Sequence, residues 1–235
     1  DVYECQECVF YIQGVNSYYL RLNFSNCKNN MFIFNVPLDH AIINLGSFSD
    51  FENNVLVNNC INETLLSHYC RIVPSSYDYK PHLTNNHFYG YPKPIEDRII
   101  DSKLTNVVSG TGSISSVWPF VSGYQFTNDK GEETTKFSKE NMNLKLYFNR
   151  AMDATDPLFV RFGSVEPYAD YIIDGTWVDE YTWQGKREIP TAIENGTQHL
   201  TVSGGRAKDD HFLTNNDNCR RISFDIDTTS AMAMN

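Results

Sequence analysis

At 235 residues, with 41% hydrophobic and 14% aromatic side chains, the chain has apolar content for one large or two smaller cored domains. That excludes wholesale disorder. A formal net charge of -10 with no basic run excludes the clustered Lys and Arg that nucleic acid or anionic lipid would require.

Two cysteines open the chain in E-C-Q-E-C-V-F-Y-I, Cys5 and Cys8. A zinc site would need a second spaced ligand pair, which is missing. A redox CxxC would follow a strand and open a helix, which this segment does not. The count is even, Cys5, Cys8, Cys27, Cys60, Cys70 and Cys219, and three N-x-S/T sequons start at Asn23, Asn62 and Asn195. Together they point to disulfides, N-linked glycans and an extracellular, oxidising setting. The pairing expected is Cys60–Cys70, Cys8–Cys27 across a hairpin and Cys5–Cys219, one of 15 connectivities that six cysteines allow. No apolar run reaches the ~20 residues of a spanning helix, and no signal peptide opens the chain. Asp1 therefore reads as the start of a processed or trimmed ectodomain, with any anchor beyond Asn235.

Cys8–Gln13 and Tyr18–Phe24 alternate as strands, and the turn-like G-V-N-S between them predicts a hairpin. Met31–Val36 is a third strand stopped by Pro37, with weaker strands at Ala41–Leu45 and Asn54–Val57. Thr64–Tyr69 alone has helical character. Residues 1–98 therefore read as a disulfide-bearing β domain. It ends in Pro74–Pro94, where four prolines predict a loop or edge rather than a central strand. Rigid amphipathic rings on such a loop can serve recognition. The candidate partner contacts are Tyr77, Tyr79, His82, His87, Tyr89 and Tyr91.

From Ile99 the pattern changes. Asn128–Lys136 is a polar turn, and six strands follow at Asn143–Phe148, Leu158–Gly163, Tyr171–Val178, Thr182–Ile189, His199–Ser203 and Arg221–Ile226. Strands separated by polar turns, with no helix between them, predict a sandwich over residues 99–229. Residues 230–235 are a tail or linker.

The set L-K-L-Y-F-N-R-A-M-D, V-R-F-G, G-T-W-V-D-E-Y-T-W, V-S-G-G-R-A-K-D and I-S-F-D-I-D-T resembles the immunoglobulin-like or E-set (IPT/TIG-like) repeat of cell-surface proteins, over Ile114–Thr229. The loop Lys208–Cys219 departs from it, being longer and carrying a cysteine. With the Asn, Tyr and Asp usage, the chain is similar to the adhesion and self-recognition receptors of social amoebae. The resemblance implies a non-enzymatic, extracellular adhesion module whose partner is another surface protein, like or unlike itself. The alternatives are a sugar-binding or glycan-processing sandwich and a structural spacer in a longer stalk.

Chemistry is sparse. The acidic pairs Glu132-Glu133, Asp179-Glu180 and Asp209-Asp210 stand in polar turns, where carboxylates are solvated rather than tuned for glycoside cleavage. No G-x-S-x-G elbow exists, His82, His87 and His211 have turn-like surroundings, and nothing asks for a cofactor. Calcium is the more serious ion, with Asp153, Asp156, Asp209, Asp210, Asp225 and Asp227 near turns, yet no D-x-D-x-D-G run appears and no metal is expected. A sugar platform would rest on Trp177, Trp183 and Trp118. With a three-residue Asp179–Tyr181 loop, Trp177 and Trp183 share one side of the sheet, but alternation leaves that side open. The resemblance implies the core side.

Overall fold

The computed structural model describes residues 2–13, 20–35, 41–45, 50–58, 70–74, 82–89, 103–104, 118–190, 193, 195–213 and 222–229. Every regular element among them is a strand, so the described structure is all-β. It forms two compact units, Asp1–Asn106 with Ile114–Trp118, and Val107–Ser113 with Pro119–Asn235.

Asparagine tolerates left-handed backbone better than most side chains, and in the first unit it sits at recurring corners. Asn29, Asn53 and Asn85 have φ of 58°, 53° and 53°, and Glu7 takes the same place at 56°. These corners divide a winding chain. The first turn carries β1 (Val2–Tyr3) and β2 (Val9–Gln13); the second carries β3 (Leu20–Ser25), β4 (Cys27–Lys28) and β5 (Met31–Asn35). The third has β6 (Ala41–Leu45), β7 (Asp50–Glu52) and β8 (Val55–Asn58), and the fourth has β9 (Cys70–Pro74), β10 (His82–Thr84) and β11 (His87–Tyr89), with β12 (Lys103–Leu104) after it. Strands stack in parallel on their equivalents in the next turn, giving sheets β1-β3-β6-β9, β4-β7-β10 and β2-β5-β8-β11-β12. The unit is a three-sided parallel β-coil.

The hairpin expected between Cys8–Gln13 and Tyr18–Phe24 is therefore absent. β2 pairs in parallel with β5, Val9 opposite Met31, while β3 pairs with β6. Alternation identifies a strand but not its partner, and a short linker serves a coil corner as well as a hairpin. Pro74–Pro94 also holds more than a loop, because β11 is hydrogen-bonded between β8 and β12. Pro74 is the last residue of β9, and the segment's other prolines fall outside β10 and β11. The helical reading of Thr64–Tyr69 lies outside the described residues.

Strands in parallel sheets read as continuous apolar runs. Met31, Phe32, Ile33, Phe51, Val55 and Leu56 are all fully buried. Phe32 packs on Phe10, Phe24 and Phe51 with ring centroids 4.9, 4.5 and 5.8 Å away. At one corner the buried amides of Asn30, Asn54 and Asn86 form a ladder. Asn54 Oδ1 accepts from Asn30 N and Nδ2 at 2.9 and 3.1 Å, and Asn86 Oδ1 accepts from Asn54 N and Nδ2 at the same distances. Each Nδ2 also donates to a carbonyl on the preceding turn, Cys5, Cys27 and Phe51 respectively.

The second unit is built from β13 (Val121–Thr127), β14 (Lys136–Phe137), β15 (Asn141–Phe148), β16 (Leu158–Gly163), β17 (Tyr171–Ile172), β18 (Asp174–Asp179), β19 (Thr182–Glu188), β20 (Gly196–Gly204) and β21 (Ile222–Ile226). They form two sheets, β13-β15-β19-β18 and β14-β21-β20-β16-β17, antiparallel except where β14 meets β21. Strict alternation puts Met142, Leu144, Leu146 and Phe148 of the first sheet into one core with Val160, Phe162, Val202 and Phe224 of the second. Phe224 meets Phe126 at 5.1 Å and Phe162 at 5.2 Å.

β13 and β14 were not expected from the sequence, and β14 falls where the polar turn runs into Phe137. The strand expected at Tyr171–Val178 is two strands in different sheets. The chain changes sheet at Ile173, which is 2% exposed and whose N–H donates to Val160 O at 2.9 Å. A side chain buried between the layers anchors that crossing.

Candidate functional site

The motif segments F-N-R-A-M-D, D-E-Y and G-G-R-A-K-D-D-H-F meet at one end of the second unit. Met152, fully buried, holds the first of them, and Met152 pairs with Ala207 as an isolated bridge. Asp153 N donates to Arg206 O at 2.9 Å, and Lys208 N donates to Ala151 O at 3.0 Å. The β18–β19 turn is Glu180-Tyr181 rather than three residues, because Val178 is bulged out of register. Its carbonyls are taken by the end of β15 and the loop that follows it, with Phe148 N donating to Tyr181 O at 2.9 Å and Met152 N to Glu180 O at 2.8 Å. After β20 the chain turns through Gly204 and Gly205 at φ 71° and 75°, and a Cβ on Gly204 would press on Pro157 O and the Phe159 ring.

Charge locks these loops together. Arg150 binds Asp209, Lys208 binds Glu180, and Arg206 reaches Asp156 and Asp210, each at 3.4 Å. His211 Nδ1 stands 3.1 Å from Asp209 Oδ1. Burial opposes ionisation of Asp209, but the hydrogen bonds and charge of Arg150 and His211 outweigh it and hold its carboxyl below the ordinary range. Thr155 holds Asp153 low in the same sense, through its hydroxyl and its N–H.

Against this framework three rings stand out in solvent: Phe212 (69% exposed), Phe159 (47%) and Tyr181 (39%). The Arg161 guanidinium lies 5.6 Å from the Phe159 centroid. Aromatic and Arg side chains on a fixed backbone are the residues from which protein-binding hot spots are made. Sequence reasoning missed them. The signal for Phe159 was present, since Val160 and Phe162 point inward and alternation puts Phe159 and Arg161 outward. For Phe212 no periodicity exists to read.

The sequence-expected contacts are elsewhere. Tyr77, Tyr79 and Tyr91 lie outside the described residues, while His82 and Tyr89 fall in β10 and β11. His87, at 5% exposure, has little surface to offer a partner. Trp177 and Trp183 are register partners, and both belong to the core side. Trp183 is 3% exposed with its indole over Gly175 and Gly185, and Trp177 packs on Phe148 at 5.0 Å.

The six Asp considered for calcium do not converge. Asp225 and Asp227 bind Thr197 and Thr229, while Asp153, Asp156, Asp209 and Asp210 engage Thr155, Arg150 and Arg206. Among the described residues no group of three or more His, Cys, Asp or Glu is placed to hold a metal.

No S–S bond is present among the described residues, where Cys5, Cys8 and Cys27 are thiols. The neighbour of Cys27 is Cys5, at 2.9 Å between sulfurs, and not Cys8 as expected, because Cys8 belongs to the next corner of the coil. The Cys60–Cys70 and Cys5–Cys219 pairings involve Cys60 and Cys219, which lie outside the described residues, as does Asn62; Asn23 lies within β3. Asn195 is exposed, its Oδ1 accepting from Thr228 N and Oγ1 at 2.8 and 2.9 Å. No protein-family model, no curated protein and no solved structure matches this chain.

Proposed function

We propose that this is a non-enzymatic extracellular recognition module that binds another cell-surface protein, through the loop end of an immunoglobulin-like sandwich carried with a parallel β-coil. The strand order supports the sandwich. β13-β15-β19-β18 and β14-β21-β20-β16 follow the A-B-E-D and G-F-C layout of immunoglobulin domains, with β14 as the short strand running parallel to the last. Sequons and even cysteines support the extracellular setting, and the exposed Asn195 is open to glycan addition.

The observation that carries the binding reading is the set of exposed rings, Phe159 at the start of β16 and Tyr181 and Phe212 on loops joined by ion pairs and backbone hydrogen bonds. A preorganised surface avoids the entropy of ordering loops on association. Biosensor and size-exclusion measurements of the full chain, against itself and candidate ectodomains, test it. Binding that weakens at least ~10-fold in Phe212→Ala or Tyr181→Ala, with the fold intact, is expected for hot-spot residues. Association with neither itself nor any ectodomain would overturn the reading, as would association indifferent to all three rings.

A further inference from the structure

The amide ladder stops before the first turn of the coil. Asn86, Asn54 and Asn30 follow one another, but the equivalent place in the first turn is Cys8, whose N–H donates to Asn30 Oδ1 at 2.9 Å and which has no amide to pass the ladder on. Two residues of β1 pair with β3, and Gln6 makes a single bridge to Lys28. Tyr3 is 62% exposed. The end of a stacked-repeat structure needs a device that the interior does not.

Gln6 opposite Lys28 puts Cys5 in register with Cys27 on the adjacent parallel strand. Neighbouring strands run about 4.8 Å apart, within the roughly 4.4–6.8 Å that a disulfide spans between Cα atoms. The two sulfurs face each other at 2.9 Å, with Cys27 fully buried. We infer that Cys5 and Cys27 form a disulfide that staples the first turn of the coil onto the second, at the end where the amide ladder stops. The oxidant is a small-molecule or protein disulfide. One cysteine thiolate attacks it, forming a mixed disulfide and releasing one thiolate; the second cysteine, losing its proton, displaces the other thiolate as the Cys5–Cys27 bond closes. Burial pushes both thiols up, so the exchange belongs to folding, before the turn closes over Cys27.

The full chain, refolded with oxidised glutathione and then alkylated, is to be digested without reduction. Cleavage after Glu4, Glu7, Arg21 and Lys28 leaves Cys5, Cys8 and Cys27 on separate peptides. The expected product is a linked pair holding Cys5 and Cys27 that a phosphine reductant separates. Cys27 recovered alkylated, or joined to any other cysteine, overturns the inference. In the oxidised chain, Cys5→Ala, Cys27→Ala and the double variant should each lower the midpoint of the first unit by the same amount, on the order of 10 °C, while Cys8→Ala should not. Additive losses, or none, count against the staple. Where a variant does not fold, the peptide map of the unaltered chain decides.

Discussion

The two units solve the same problem, pairing strands, in different ways. In the coil every strand finds its partner one full turn away, and successive ladder bonds span 22, 24 and 32 residues. In the sandwich, β18 and β19 are joined by two residues, and Trp177 meets Trp183 across that turn. The coil is consequently a stack of like interfaces held by a buried polar ladder, while the sandwich is one apolar core closed by side chains from both sheets. The first should fail at its rungs and the second at its packing.

The largest effect is expected from removing a rung. Asn54→Leu leaves the buried Asn30 N–H without its acceptor and takes one side-chain donor each from the Cys27 carbonyl and from Asn86 Oδ1, which keeps the bond from the backbone N–H of residue 54. A buried group left unpaired costs about 1–3 kcal/mol and each lost hydrogen bond about 0.5–1.5 kcal/mol, so the first unit should lose roughly 2–6 kcal/mol. Calorimetry should show its transition falling away from that of the second unit. A single transition moving as a whole would break the comparison. Next comes Gly185→Ala, whose added Cβ overlaps the Trp183 indole, with Ile173 also 2.9 Å away. Overpacking of this kind costs about 1–3 kcal/mol, and Trp fluorescence during denaturation should report it in the second unit alone.

Acid sharpens the contrast less strongly. Among the described residues the carboxylates held low all lie in the second unit: Asp129 by the N–H and side-chain amide of Asn141, Asp153 by Thr155, and Asp209 by Arg150 and His211 against the cost of its burial. A carboxyl whose folded pKa is depressed contributes stability above its unfolded value, near ~3.9 for Asp. That contribution is lost as pH falls through the lower folded value. Thermal midpoints of the second unit should therefore decline below about pH 4, and a midpoint unchanged there would remove these hydrogen bonds from the account. The smallest effect on stability belongs to Phe212→Ala, an exposed ring, expected within about ±0.5 kcal/mol while binding falls.

How far the fold was legible follows the same division. Asn143–Phe148 and Leu158–Gly163 announced themselves because one face is buried and the other wet, although their partners β19 and β20 lie about 40 residues along the chain. Met31–Asn35 was also legible as a strand, but its neighbours on both sides are a turn of the coil away, and no local signal carries that distance. The ladder was hidden for another reason: Asn30, Asn54 and Asn86 are irregularly spaced, and asparagine beside asparagine reads as a polar turn. At the candidate site the motif residues Met152-Asp153 and Arg206-Ala207 were visible, and alternation placed Phe159 outward, while the exposed ring of Phe212 left no signal. Exposure at a loop tip follows from backbone path, which composition does not encode.

The ladder fixes the phase of the coil without fixing its length. Between Asn30 and Asn54 the chain needs 24 residues, and between Asn54 and Asn86 it needs 32, yet the amides bond at the same 2.9 and 3.1 Å. Doubling a connection costs only about 0.6 kcal/mol in closure entropy. Mutation can therefore lengthen, shorten or rewrite what runs between rungs while the interior stays as it was, so this half of the molecule can acquire new surface by insertion at little risk to its own folding.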